Sequence, residues 1–328
     1  MVLIAKQPLL SICIPAYNRP EWLWRNITSI IDGNDDYSKQ LEIIITDDST
    51  SLECQEVASA LLDRWPGQWN YINNPTRLGM VKNWNYSLEL ATGNYVLILH
   101  DDDFLLQNGL AIILKTIQAN PVYSLFLFGV HLVTDQEKLM RVQAPRSEHY
   151  LSPQLAIYQL LNQSSFVRFP GLVIQRQLFQ DYGYFAEEFG PATDIAMWLK
   201  LMSHRGVYCV PRATAAYRIH PQALTMGMFK VQTLQQLRAI FNQARATNLL
   251  TPAQLNQAEA NFLHQFILAG TIRLIKQHQW ATAEEIFNLF STQVMEGVGY
   301  SLKWCGLRWG LGMFWQVWQL WQWLRGHL

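Results

Sequence analysis

An apolar run, Tyr95-Val-Leu-Ile-Leu99, stops abruptly at His100-Asp101-Asp102-Asp103. The run reads as a buried strand, and a strand this apolar normally ends in turn residues, here three successive carboxylates. They repel one another unless water or a cation screens them. In an open α/β sheet, ligands bind at the carboxyl ends of the strands. Hard oxygen ligands gathered there suit Mg²⁺ or Mn²⁺ holding a phosphate-bearing substrate. An isolated acidic triplet is more often a solvated turn capping the next helix, so its neighbours must decide.

The surrounding pattern predicts an α/β fold. Strands are expected over 9–15, 41–46, 69–73 and 95–99, and helices over 21–31, 52–64 and 81–91. In the first helix Trp22, Leu23, Ile27, Ile30 and Ile31 share one apolar face. Strands alternating with helices imply βαβ units and a mostly parallel, Rossmann-like sheet. A helix over 105–119, a strand over 123–134 and helices over 155–161 and 195–203 continue the series. Beyond about residue 228 the pattern turns helical, with segments 232–246, 252–276 and 282–295. Thr251-Pro252 and Thr282-Ala-Glu-Glu read as the starts of the last two. The expected division is 1–228, 229–300 and 301–328.

Composition excludes some classes. Half of the 328 residues are hydrophobic and 15% are charged, enough for a sizeable core. A net charge of zero argues against broad binding to nucleic acid. Cys13, Cys54, Cys209 and Cys305 are scattered, which fits a reducing compartment and no metal-type pair. Met1–Ala5 is too short an apolar run for a secretory leader. A cytoplasmic location is expected.

Three polar segments fall at predicted strand ends: Pro15-Ala16-Tyr17-Asn18, Asp47-Asp48 and the triplet. In a parallel sheet they should converge as a nucleotide site with a metal. Taken alone, Asp47-Asp48-Ser49 would be a helix cap. Taken together, Ser11-Ile-Cys-Ile-Pro-Ala-Tyr-Asn18, Leu41-Glu-Ile-Ile-Ile-Thr-Asp-Asp-Ser-Thr50, Asn73-Asn-Pro-Thr-Arg-Leu-Gly79 and Gly93 to Asp103 resemble the successive motifs of family-two glycosyltransferases with the GT-A fold. The resemblance covers roughly residues 8–225, in the correct order. It implies an inverting enzyme that uses a nucleotide diphosphate sugar, a UDP-sugar above all, and a hydroxyl of a glycan or lipid-linked acceptor.

It also implies roles. Pro15, Ala16, Tyr17 and Asn18 would line the nucleotide, Tyr17 beside the base, with Asp48 and Asp47 at the base edge. Arg77 and Lys82 would approach the diphosphate. Asp101 would meet the ribose and Asp102 would ligate Mn²⁺ or Mg²⁺. His100 stands where many members carry the first Asp of Asp-x-Asp, and a neutral imidazole can replace a carboxylate there. Thr193-Asp194-Ile-Ala-Met-Trp198 is similar to the family's Glu-Asp-x-x-x-Trp segment, making Asp194 the expected base; without the other motifs it would be a helix cap. In Tyr217-Arg218-Ile-His220-Pro221, Arg218 would neutralise the leaving diphosphate and His220 would complete the metal's coordination. Trp84 and Trp198 are expected in the core. A non-catalytic nucleotide-sugar-binding relative and a nucleotidyltransferase are the rival classes. Retention of Asp194 speaks against the first, and the absence of glycine from Pro15–Pro20 against the second.

The C-terminus differs from the rest. Six of thirteen tryptophans lie in the last 25 residues, and no acidic residue follows Glu296. On a helix, Arg308, Gln316, Gln319 and Gln322 share one sector, while Leu307, Leu311, Phe314, Trp318, Trp321 and Leu324 spread over the rest. A membrane span needs about 20 predominantly apolar residues; three Gln, three Gly and Arg308 between Gly306 and Leu324 argue against one. The expectation is a peripheral contact with the inner face of the cytoplasmic membrane. Docking onto its own domain or onto a second subunit is the alternative.

Overall fold

The computed structural model describes residues 7–163, 165–220, 229–291, 295 and 302–327. Met1–Ala5 and Pro221 lie outside the described residues, and of Trp304, Trp321, Trp323 and Leu324 only the backbone is described. Residues 1–157 and 165–223 form one compact unit, and residues 158–164 and 224–328 a second.

In the first unit, β1 (Leu10–Ala16) and β2 (Leu41–Asp47) are buried along their whole length. Each is paired on both sides and covered on both faces, which is why their sequences are near-continuous apolar runs. Glu42, buried within β2, accepts hydrogen bonds from the Ser11 hydroxyl (2.6 Å) and the Thr92 N–H (2.8 Å). Between the two strands, α1 (Pro20–Ile31) opens on Pro20, whose missing N–H costs nothing at a first helical position. The helix buries Leu23, Ile27 and Ile30. Then come α2 (Glu53–Leu62), β3 (Gln68–Asn73), α3 (Met80–Leu90) and β4 (Tyr95–Ile98).

The chain continues through β5 (Phe104–Leu105), α4 (Gly109–Ala119), β6 (Leu125–Thr134), β7 (Leu139–Gln143), β8 (His149–Leu151), α5 (Pro153–Asn162), β9 (Leu172–Gln175), α6 (Gln177–Tyr182), α7 (Thr193–Arg205) and β10 (Val207–Ile219). The sheet order is β3-β2-β1-β4-β9-β6-β10-β5, with β7 on β6 and β8 on β10. Strands β1 to β4 are mutually parallel where they pair, and β9 runs antiparallel between β4 and β6. β6 and β10 pair in parallel, so six strands point one way and the sheet is mostly parallel, as expected. β1, β2 and β4 therefore deliver their following loops to one edge.

One local expectation changes. The helix expected over 105–119 begins at Gly109, because Phe104 and Leu105 pair with Ala216 and Ala215 of β10. Gly109 approaches Thr214 so closely that a Cβ would stand 2.0 Å from its carbonyl oxygen. β10 has no clean alternation, since the register shifts twice between Val210 and Ala215 around Pro211-Arg212.

The second unit holds α8 (Val231–Ala246), α9 (Pro252–Lys276), α10 (Trp280–Asn288) and α11 (Leu302–His327). Thr251 caps α9 reciprocally: its side chain accepts from the Gln254 N–H, and the Gln254 side chain accepts from the Thr251 N–H. α10 starts earlier than expected, with Gln279 rather than Thr282 at its cap, and ends at Asn288 in a 3-10 turn over Leu289–Ser291.

Candidate active site

The three strand-end loops are tied together by hydrogen bonds. The Asp48 N–H donates to the Ala16 carbonyl (3.0 Å), the Asn18 N–H to Ser49 Oγ (2.7 Å) and the Tyr17 N–H to Asp101 Oδ2 (2.8 Å). Asn18 adopts φ 52°, a left-handed conformation that asparagine tolerates and that turns the loop here. The next residue, Arg19, donates from Nη1 to both Asp101 Oδ1 (3.0 Å) and Asp102 Oδ2 (2.9 Å). Its guanidinium also lies 5.3 Å over the Trp22 ring. Arg19 is the residue that sequence reasoning passed over. Its only signal was its place directly after Tyr17-Asn18.

The three carboxylates sit in different environments. Asp101 is buried, and burial followed by the neighbouring Asp102 charge pushes its carboxyl up to about 7, against the pull of Arg19 and the Tyr17 N–H. Asp103 is also buried and raised well above the usual range, by burial first and Asp102 second. At Asp102 burial again opposes the charge. There the hydrogen bond with His220 Nε2 (3.0 Å) and the Arg19 charge outweigh it and hold the carboxyl below the usual range. Asp102 is thus the member best held as an anion. His100 packs between the rings of Trp84 (5.1 Å) and Phe169 (4.5 Å), and burial lowers its imidazole to about 4. It is neutral at neutral pH.

The base-edge acids are not helix caps; α2 has Leu52 at its cap, without a side-chain bond. Asp48 accepts from Asn74 Nδ2 (2.8 Å), the Leu78 N–H (3.0 Å) and the Gly79 N–H (2.8 Å), folding the 74–79 loop onto the end of β2. Gly79 sits at φ 85°, a conformation that suits glycine and points its N–H at Asp48. Asp47 accepts from the Tyr71 hydroxyl, the Ser49 hydroxyl and the Ser49 N–H. Arg77 covers one face of the exposed Tyr17 ring at 4.4 Å. Lys82 forms an exposed pair with Glu187 at 3.5 Å, of a kind worth little on its own.

Arg218 is placed differently from its expected role. Its guanidinium donates to the Asp102 carbonyl (2.8 Å), the Asp135 carbonyl (2.6 Å) and Glu137 (3.0 Å). Its own N–H holds Asp103 Oδ1 at 2.9 Å. A side chain buried and occupied in this way braces the triplet from behind.

Asp194 lies in the first turn of α7, half-buried, with Oδ1 accepting the Ile195 N–H at 2.8 Å. Burial pushes its carboxyl up to about 6, against that hydrogen bond and the Arg168 charge. The Arg168 guanidinium stands 5.0 Å over the Tyr217 ring. The Tyr217 hydroxyl is pushed up to about 12 by burial, and the charges of Asp103, Arg168, Asp102 and Asp194 all act on it. Trp198 and Trp84 are buried, as expected.

The chain is similar to known proteins. The profile described as glycosyl transferase family 2 covers residues 11–183, just over half of the chain. The chain belongs to that family. A Campylobacter jejuni relative named GalNAc(5)-diNAcBac-PP-undecaprenol beta-1,3-glucosyltransferase is 28% identical over 68% of this chain and 69% of its own. The Salmonella typhimurium abequosyltransferase RfbV is 34% identical over 32% of this chain and 31% of its own. Among solved structures, S. aureus TarS 1-349 in complex with UDP-GlcNAc superposes with a TM-score of 0.61 at 18% identity, covering 85% of this chain and 80% of that one. The Pyrobaculum calidifontis mannosyltransferase PcManGT, in complex with GDP-Man and Mn²⁺, gives 0.54 at 16% identity, over 95% and 83%. The fold is therefore GT-A-like, and the protein is a glycosyltransferase.

The triplet of this family-2 glycosyltransferase also passes a chemical test for a divalent cation. His100 Nε2 and Asp103 Oδ2 are buried polar atoms with no hydrogen-bond partner, which asks for an explanation. Ligand atoms of His100, Asp102 and Asp103 lie within 4.8 Å of one another. An imidazole with carboxylate oxygens suits Mn²⁺ or Mg²⁺. His220 is not in that group of three; its Nε2 is engaged with Asp102, and its ring meets Trp22 edge-on at 4.5 Å.

Proposed function

We propose that the protein transfers one sugar, with inversion, from a UDP-sugar to a hydroxyl of a glycan or lipid-linked acceptor, and that residues 1–228 carry the chemistry. The observation behind this reading is the convergence of the strand-end loops on Asp101 and Asp102, which bind the Tyr17 N–H and the Arg19 guanidinium. Asp194 takes the proton of the acceptor hydroxyl as its oxygen bonds to the anomeric carbon. The bond from that carbon to the diphosphate breaks, and its electron pair leaves on the β-phosphate oxygen. A divalent cation held by Asp102 with His100 and Asp103 would offset the diphosphate charge as a Lewis acid. Asp101, fixed by Tyr17 and Arg19, faces the ribose. Pro15, Ala16, Tyr17 and Asn18 line the nucleotide, with Asp48 and Asp47 at the base edge and Arg77 and Lys82 toward the diphosphate.

Complexes of TarS with UDP-GlcNAc and of PcManGT with GDP-Man and Mn²⁺ support the donor class. The name of the Campylobacter relative supports a lipid-linked acceptor, and with it work at the inner face of the cytoplasmic membrane. The donor reading is tested by thermal unfolding with a panel of UDP, GDP and their sugars, with and without Mn²⁺. A ligand at a hundred times its Kd adds about 2.7 kcal/mol to the folded state. UDP and one UDP-sugar should raise the melting temperature with Mn²⁺ and do far less in EDTA. If GDP or no nucleotide does so, the donor is misassigned. If pyrophosphate rather than nucleoside diphosphate is released in turnover, the reaction class is wrong.

A further inference from the structure

Helix α11 leaves an apolar stripe uncovered. Two of its polar side chains meet the rest of the second unit: the Arg308 guanidinium lies 4.6 Å over the Phe290 ring, and Gln319 donates to Glu284. On the same side Trp315 is buried and Trp318 stacks on Trp280 of α10 at 4.9 Å. The opposite side is apolar and exposed, with Leu302 at 92%, Trp309 at 76%, Met313 at 64%, Val317 at 68% and Leu320 at 59% of full accessibility. These positions recur at helical spacing and form one stripe about 27 Å long. Leu307 and Phe314, also exposed, flank it. An ordinary surface helix does the reverse, burying its apolar stripe and wetting its polar one.

We propose that this stripe rests in the headgroup–acyl boundary of an anionic lipid bilayer. Three observations select that occupant. Among the described residues no helix is long and apolar enough to cross a membrane, so the stripe suits lying in the interface. Lys303, Arg308 and Arg325 are the charged residues of α11, and no acid follows Glu296, so the segment complements a negative surface. Trp309 stands in the stripe itself, and tryptophan favours the membrane–water boundary. The contact would hold the enzyme where a lipid-linked acceptor resides. It extends that part of the proposed function, but its test needs neither donor nor acceptor.

The test is flotation of the full-length chain with vesicles of phosphatidylcholine and phosphatidylglycerol. The native chain should float, and less so with phosphatidylcholine alone. The double variant Met313→Glu/Val317→Glu places two carboxylates in the stripe at exposed positions, where folding does not depend on them. Its partitioning should fall by about tenfold or more. Gln235→Glu/Gln257→Glu adds the same charge at exposed positions on α8 and α9 and should retain most of the binding. All three chains should share one melting temperature and one donor-induced shift, so a failed donor assignment is read separately. The proposal is overturned if the native chain stays soluble or if the stripe variant floats equally well. It is also overturned if light scattering shows a dimer that the stripe variant dissolves without any vesicle binding, since the stripe would then join two copies of the chain.

Discussion

Replacing Asp194 with Asn should slow sugar transfer by roughly 10²- to 10⁴-fold, the usual contribution of a general base. Donor binding should survive, because Asp194 does not touch the strand-end loops that hold Asp48, Asp101 and Asp102. The amide keeps the shape of the side chain, and its oxygen can still accept the Ile195 N–H. Burial pushes the native carboxyl up to about 6, which fixes the sign of the pH dependence. The base works only when deprotonated, so turnover should be full above that value. It should fall roughly tenfold per unit as pH drops below about 6. In the Asn variant the acid limb should disappear from the residual rate. Steady-state rates across pH 5 to 8 with a fixed UDP-sugar check both parts. Near-normal turnover would move the base elsewhere, and loss of donor binding would make Asp194 a structural residue of the first turn of α7.

The parts legible in the sequence are those where local pattern and tertiary role coincide. β1, β2 and β4 are covered on both faces, so they announce themselves as apolar runs, and the polar residues that end them fall on one edge of a parallel sheet. The long-range partners left no such trace. Arg19 reaches Asp101 across 82 positions, and nothing near it distinguishes it from a loop cation. Arg168 and Tyr217 are equally silent, because one precedes a four-residue strand and the other lies on β10 beyond its two register shifts. Arg218 was visible as a residue but not as a geometry: backbone carbonyls of Asp102 and Asp135 consume its donors, and carbonyl positions are written only in the fold. On α11 the two expected sectors divide otherwise: Gln316 is exposed, and Trp318 stacks on Trp280 on the side that Arg308 occupies. Which sector meets protein depends on Phe290, Trp280 and Glu284, which belong to other elements.

Replacing Asp102 with Asn should abolish the Mn²⁺ dependence of UDP binding. Asp102 is the one member of the triplet held below the usual carboxylate range, and it shares a 4.8 Å cluster with His100 and Asp103. An amide keeps the volume but loses the charge that a hard cation requires. The fold should persist, because Arg218 grips the Asp102 backbone carbonyl rather than its carboxylate, and Arg19 keeps Asp101. Calorimetric titration of UDP in Mn²⁺ and in EDTA reads the effect directly, and the melting temperature reports folding. His220→Gln supplies the graded comparison. His220 touches Asp102 without joining the cluster, so its loss should weaken Mn²⁺-dependent binding by about 10- to 100-fold, as for residues that orient a ligand. The order of the two variants carries the argument. If Asp102→Asn binds UDP with unchanged Mn²⁺ dependence, or His220→Gln is the more damaged, Asp102 is not the principal ligand. The cation would then be held through His100 Nε2 and Asp103 Oδ2, two buried atoms with no hydrogen-bond partner.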